Sequence, residues 1–155
     1  MAQPGAEATQ YQFHSFGAHF CEVRVNRFTG EPRVTRFTTV VDIGRVVNAQ
    51  ATRSQLVGGV IFGIGHALLE DNPPELDTGR LAGSNLADYL VPVNADIPAI
   101  DVHWLGKPDP VISDFGARGV GEVGTVGSAA AVGNAIFNAT GTRVRDVPIT
   151  LDKLL

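Results

Sequence analysis

Cys21 is the chain's one cysteine. That scarcity excludes an intrachain disulfide, and it excludes an iron–sulfur cluster held by this chain, since such a cluster needs about four protein ligands. Positive charge is also sparse. Twelve Lys and Arg stand against sixteen Asp and Glu, for a formal net charge of −4, and the basic residues gather into no run. A general nucleic-acid binder or a polybasic membrane-surface segment needs such clusters, so neither class fits. Long hydrophobic runs are missing as well. The longest, Leu56 to Leu69, is interrupted by Gly58, Gly59, Gly63, Gly65 and His66 and is too short to span a bilayer. Met1 to Ala8 carries neither a basic n-region nor an apolar h-region, which predicts no signal peptide. The expected location is the cytoplasm, or the periplasm if the chain is exported with a partner subunit.

Glycine, by contrast, is plentiful, at eighteen of 155 residues. With 44% hydrophobic and 18% charged residues the composition is that of a globular chain. Residues 1–10 are small and polar and read as a loose lead-in, leaving 11–155 as the folded part. From Phe13 to Val25 apolar residues alternate (Phe16, Ala18, Phe20, then Val23 and Val25 after a slip), which predicts a strand with a bulge. Asn26 to Glu31 supplies turn chemistry and Arg33 to Ile43 a second strand, so the pair reads as a β-hairpin.

Asn48 is an N-cap candidate for a helix running to about Glu70, ended by Asp71-Asn72-Pro73-Pro74. Its four glycines each cost about 1 kcal/mol relative to alanine, so another backbone or a ligand is expected to approach closely. Packing between elements explains them as readily as a ligand does. Tyr89 to Pro92 reads as a short extended piece and Ala99 to Leu105 as a further strand. Thr125 to Ala139 reads as a small-residue helix, nearly apolar all round and therefore buried, with Gly141 at its C′ position. Val144 to Thr150 is extended, and Leu151 to Leu155 starts a helical turn. Strands and helices alternate irregularly, which predicts an α+β fold.

Chemistry concentrates in Phe115 to Gly127. Gly119-Val120-Gly121-Glu122-Val123-Gly124 is a literal G-x-G-x-x-G, but a dinucleotide site requires a preceding apolar strand and a βαβ unit to follow. Pro108 to Asp114 makes a poor strand, and too little chain follows. Direct binding of NAD or ATP by the chain would be needed to revive that reading. Glu122 is expected just before a helix, where the helix dipole favours an ionised carboxylate able to accept a proton. A glutamate that only complements the dipole would occupy the same place. His14, His19, His66 and His103 show no metal-ligand spacing and read as ordinary surface or core histidines.

Gly119 to Glu122 ahead of a glycine- and alanine-rich helix, followed by Ala139 to Thr150, resembles the C-terminal part of the xanthine oxidase/aldehyde oxidase family of molybdenum hydroxylases. The likeness is closest to the molybdenum subunit of bacterial periplasmic-type aldehyde oxidoreductases. Gly44-Arg45-Val46-Val47-Asn48, Arg53-Ser54-Gln55, Gly58-Gly59, Gly63-Ile64-Gly65, Ala67 to Glu70 and Tyr89 to Pro98 follow its pattern in order and spacing. The resemblance covers residues 12–155.

The resemblance implies that Glu122 is the general base that deprotonates a molybdenum-bound hydroxyl. Gln55 would hydrogen-bond the cofactor, and Gly119, Val120 and Gly121 would line the metal's neighbourhood through their backbone. It implies a molybdenum–pterin cofactor, the cytosine dinucleotide among its forms, held without protein ligands to the metal. The substrate would be an aldehyde or N-heteroaromatic. The [2Fe–2S] clusters and FAD would lie on partner subunits, an iron–sulfur and an FAD subunit, beside the remaining part of the molybdenum subunit. Arg118 stands at a Lys or Arg position of the family and fits a buried ion pair as well as a substrate contact. The alternative to a working enzyme piece is an inactive fragment kept for assembly or interaction.

Overall fold

A computed structural model describes residues 10–155. All but the last residue of the lead-in expected over 1–10 therefore lies outside the described residues. Two strands form the predicted hairpin: β1 (Phe16–Val25) and β2 (Pro32–Asp42) pair antiparallel. The turn closes because Asn26 Oδ1 accepts from the N–H groups of Phe28 and Thr29, while Gly30 takes a φ of 74°. Only glycine adopts that left-handed conformation at no steric cost.

The register shift falls where β1 passes from Glu22 to Val23, but the extra residue is Thr35 on β2, which has no partner in the register. Strand β1 itself alternates without a slip. His19, Cys21, Val23 and Val25 turn inward, while Phe16 and Phe20 stay 60% and 62% exposed on the opposite face. Of the residues that alternate in the sequence, Phe16, Ala18 and Phe20 thus mark the outer face of β1 and Val23 and Val25 the inner one. The inner face carries His19, Cys21, Val23 and Val25, and the C-terminal helix packs onto it.

Helix α1 (Ala49–Leu68) starts as predicted, with Asn48 Oδ1 accepting from the N–H of Ala51 at 2.9 Å. It buries Thr52, Leu56, Gly59, Val60, Gly63, Ile64 and Ala67, a row at helical spacing. Strand β3 (Ala99–Trp104) joins β2 in parallel, giving sheet order β1-β2-β3. Tyr89 to Pro92 joins no strand.

The C-terminal helix is interrupted. A short α2 (Val123–Val126) and a longer α3 (Ser128–Thr140) meet at Gly127. A Cβ on Gly127 would stand 2.3 Å from the His19 ring, so glycine at this position lets β1 pass close by. Helix α3 buries Ser128, Val132 and Ile136 along one face and ends on Gly141 at φ 79°, the predicted C′ glycine. Its far side, with Asn134 and Phe137, is exposed in this chain. A 3₁₀ turn, η1 (Leu151–Lys153), closes the chain.

The fold is α+β in two layers, with α3 lying over β1 and α1 over β2 and β3. One core cluster joins Phe37, Val60, Ile64, Val132, Ile136 and Ile149 between the layers. A smaller one, Val41, Ile43 and Leu56, lies beneath the segment that carries Glu122. Among the described residues no helix is long and apolar enough to cross a membrane.

Candidate functional site

The site begins with glycines. A Cβ on Gly59 would meet the backbone of Gly124 and Thr125 at 2.9 Å, and one on Gly124 would meet the Leu56 carbonyl at 2.9 Å. A Cβ on Gly63 would stand 2.2 Å from the Cβ of Ser128. Real Cβ atoms do not approach so closely, so these glycines let α2 and the start of α3 lie directly on α1. Gly65 is similarly filled, by Glu70 and Pro92. Gly58 differs: nothing lies within 4 Å of its virtual Cβ. Packing between elements therefore accounts for three of the helix glycines, and open space adjoins the fourth.

That space is a solvent-open cavity of about 580 Å³ bordered by Ser54, Gln55, Gly58, Phe62, Gly121 and Glu122. Gln55 sits in the second turn of α1 and Glu122 at the N-cap of α2, so the α1–α2 contact places an amide and a carboxylate on one rim. Both residues are exposed. Glu122 makes no capping bond, and it takes part in none of the ion pairs among the described residues. Glu122 thus borders the cavity with its carboxylate in no capping bond and in none of those ion pairs.

Glu122 also borders a second cavity, of about 710 Å³, on the side of β1, together with Phe13, Ser15, Phe16, His19 and Gly119. Gly121 is common to both cavities, while Gly119 borders only the second. Val120 turns its side chain onto the Val41, Ile43 and Leu56 cluster. The Ser15 hydroxyl donates to the Gly119 carbonyl. The G-x-G-x-x-G follows a loop and leads into a helix of four residues, which is not the strand–turn–helix context of a dinucleotide site.

Arg118 is the cation of a part-buried cluster. Its Nη1 donates to Asp109 Oδ2 at 2.8 Å, and its Nη2 lies 2.5 Å from Asp42 Oδ1. The three side chains are 13%, 14% and 19% exposed for Arg118, Asp109 and Asp42. Of the two roles open to Arg118 from its sequence, this geometry is that of the ion pair. The N–H of Val111 holds the Asp109 carboxyl below its usual range; burial opposes this, and Arg118 and the N–H of Ile112 reinforce it. Burial works against the Arg118 charge, but the two carboxylates more than offset it. Sequence reasoning missed both acidic partners. Asp42 closes an apolar strand and Asp109 stands between two prolines, and neither position signals pairing with Arg118.

His19 packs its ring against Phe37, and burial lowers its pKa against the opposing pull of the Val123 carbonyl. His14, His66 and His103 are exposed. Among the described residues no three His, Cys, Asp or Glu side chains gather as a metal site.

Residues 2–98 match the molybdopterin cofactor-binding domain family. The chain is 46% identical over 151 residues to the aldehyde oxidoreductase molybdenum-binding subunit PaoC of Escherichia coli, covering 97% of this chain and 21% of that one. It superposes on the crystal structure of the aldehyde oxidoreductase from Desulfovibrio desulfuricans with a TM-score of 0.82 and 34% identity, covering 91% of this chain and 15% of that one. For quinoline 2-oxidoreductase from Pseudomonas putida the TM-score is 0.80 at 33% identity, covering 88% of this chain and 18% of the other. The chain thus spans about a fifth of the length of its curated relative. With more than half of its residues matched to the family and the fold shared at that identity, this chain belongs to the molybdopterin cofactor-binding domain family, that of molybdenum-binding subunits of the xanthine oxidase and aldehyde oxidase type.

Proposed function

We propose that this chain forms one wall of the cofactor pocket of a molybdenum hydroxylase acting on an aldehyde or N-heteroaromatic, with Glu122 as general base. The observation that carries the proposal is the single cavity bordered by both Gln55 and Glu122. The residues present fit part of a pterin-type group. Gln55 offers an amide that donates and accepts, matching the mixed polar edge of a pterin. Virtual Cβ atoms on Gly58 and Gly121 meet nothing within 4 Å, so a bulky group can lie against bare backbone there.

When bound, the cofactor supplies the oxidising metal centre and the oxygen delivered to the substrate carbon. The chain's own residues bind, orient and move the proton. Glu122 Oε takes up the proton released at the reacting centre, a role open to a carboxylate with no ion-pair partner. The Gln55 amide fixes the cofactor's orientation. Gly121 lets the backbone approach, and the Val120 side chain anchors that backbone on the core.

The rest of the molybdenum subunit closes the pocket, which is open in this chain. Electrons leave through [2Fe–2S] clusters and FAD on partner subunits. The 11–155 segment is then the C-terminal portion of the cofactor-binding domain. A second reading, an inactive assembly module, draws on the open cavity and the small share of the relatives' length that the chain covers.

Co-expression with the rest of the molybdenum subunit separates the two. A working piece copurifies with the larger chain and its molybdenum. An assembly module leaves molybdenum content and turnover unchanged when Gln55 and Glu122 are both replaced.

A further inference from the structure

Glu122 is positioned by its backbone alone. Its carboxylate makes no capping bond and none of the ion pairs among the described residues, and Gly119 and Gly121 flank the one residue between them. Such a glycine-rich segment has more conformational freedom than any other composition allows. Downstream it is fixed by the Gly59–Gly124 contact of α1 with α2. Upstream, the Gly119 carbonyl accepts from the Ser15 hydroxyl and Val120 packs on the Val41, Ile43 and Leu56 cluster, and the charged anchor at the root of the segment is Arg118.

That anchor is tied through both its backbone and its side chain. The Arg118 N–H donates to the Ile43 carbonyl at 2.8 Å. Its guanidinium reaches Asp42 at the end of β2 and Asp109 in the loop after β3, and the Phe16 ring lies 6.0 Å from its Cζ. One planar cation thus clamps a strand end and a loop to the root of the segment that carries the base. A lysine ammonium, a point charge on a flexible stem, cannot span both carboxylates with the same geometry.

We infer that Arg118 is the positioning residue for Glu122, holding the base at its place through the Asp42–Arg118–Asp109 clamp rather than touching substrate or cofactor. This rests on the assignment of Glu122 as base. Misplacing a catalytic group by about 1 Å can lower a rate on the order of a hundredfold. Loosening the clamp should therefore lower kcat and leave KM in place.

The test is a double-mutant cycle in the assembled enzyme, using Arg118→Lys and Glu122→Gln singly and together. Arg118→Lys should retain its molybdenum and show faster deuterium uptake in the peptide spanning 115–123. Its kcat should fall about tenfold to a hundredfold with KM unchanged. Arg118→Ala, which strands two carboxylates, should exceed it in deuterium uptake and in the fall of kcat. In the Glu122→Gln background Arg118→Lys should cause no further loss, because no base remains to misplace. An equal fall in both backgrounds, unchanged uptake, or a change confined to KM would overturn the inference and leave Glu122 as base. A wild-type rate in Glu122→Gln alone removes the base assignment and the inference together.

Discussion

Gln55 and Glu122 border one cavity although α1 and α2 stand in different halves of the chain. What brings them together is the absence of side chains beneath them. The Gly59–Gly124 approach lets α1 and α2 touch backbone to backbone, and Gly63 makes room for Ser128 at the start of α3.

Those approaches make a stability contrast along one helix. Alanine at Gly59 or Gly63 forces overpacking, which typically destabilises by about 1–3 kcal/mol. Alanine at Gly58 meets open space and gains helix propensity of about 1 kcal/mol. Thermal unfolding of the subunit without its cofactor should show lowered midpoints for Gly59→Ala and Gly63→Ala. The midpoint for Gly58→Ala should be unchanged or raised. A destabilised Gly58→Ala would mean that the cavity wall is packed, not open.

At Gln55 the effect should fall on the cofactor and not on the fold. Removing its amide leaves buried polar groups of the bound pterin unpaired, worth about 1–3 kcal/mol. Gln55→Ala should unfold like wild type and carry less molybdenum by metal analysis. Full molybdenum and full activity would make Gln55 an ordinary surface glutamine.

Much of this arrangement is legible in the sequence where chemistry is local. Asn26 to Gly30 and Asn48 act through side chains bonded two or three residues on, and Gly141 through its own φ. The parallel pairing of β3 with β2 is not legible, because the two are separated by α1 and a long loop. Nor is the need for glycine at 127, which depends on where the His19 ring falls. Alternation in β1 predicts a strand but not which face is inward, since Phe16 and Phe20 stay exposed. The glycines of α1 look equivalent in sequence; only their neighbours distinguish Gly58 from Gly59. For the site, the resemblance picks out Gln55 and Glu122 singly, while their common cavity is a property of the fold.

Cys21 gives a pH prediction. Burial, reinforced by Glu22, pushes its thiol up to about 12. The reactive thiolate is then scarce at pH 7–9 in the folded chain, whereas an unfolded chain titrates near the ordinary value of 9.0. Alkylation by iodoacetamide at pH 9 should be slow in the native protein and fast in denaturant. Equal rates would show the thiol to be accessible and unshifted.

Expressed alone, the chain should hold no molybdenum, because both cavities beside Glu122 are open. It should also self-associate, since Phe62 and Val126 beside the Gln55 cavity are 66% and 80% exposed. Metal analysis with light scattering checks both. A monomer carrying stoichiometric molybdenum would contradict the open-wall description.

One substitution isolates the acceptance of the proton by Glu122. Glutamine matches glutamate in shape and still hydrogen-bonds, but it takes up no proton at working pH. General-base catalysis typically contributes about 10²–10⁴ in rate. The measurement is anaerobic stopped-flow reduction of the assembled Glu122→Gln enzyme by substrate, with molybdenum content determined on the same sample. With Glu122 as base, the variant keeps wild-type molybdenum and its reduction rate falls by at least about 10²-fold. Reduction at the wild-type rate would contradict that assignment and leave Glu122 as a glutamate that only complements the start of α2.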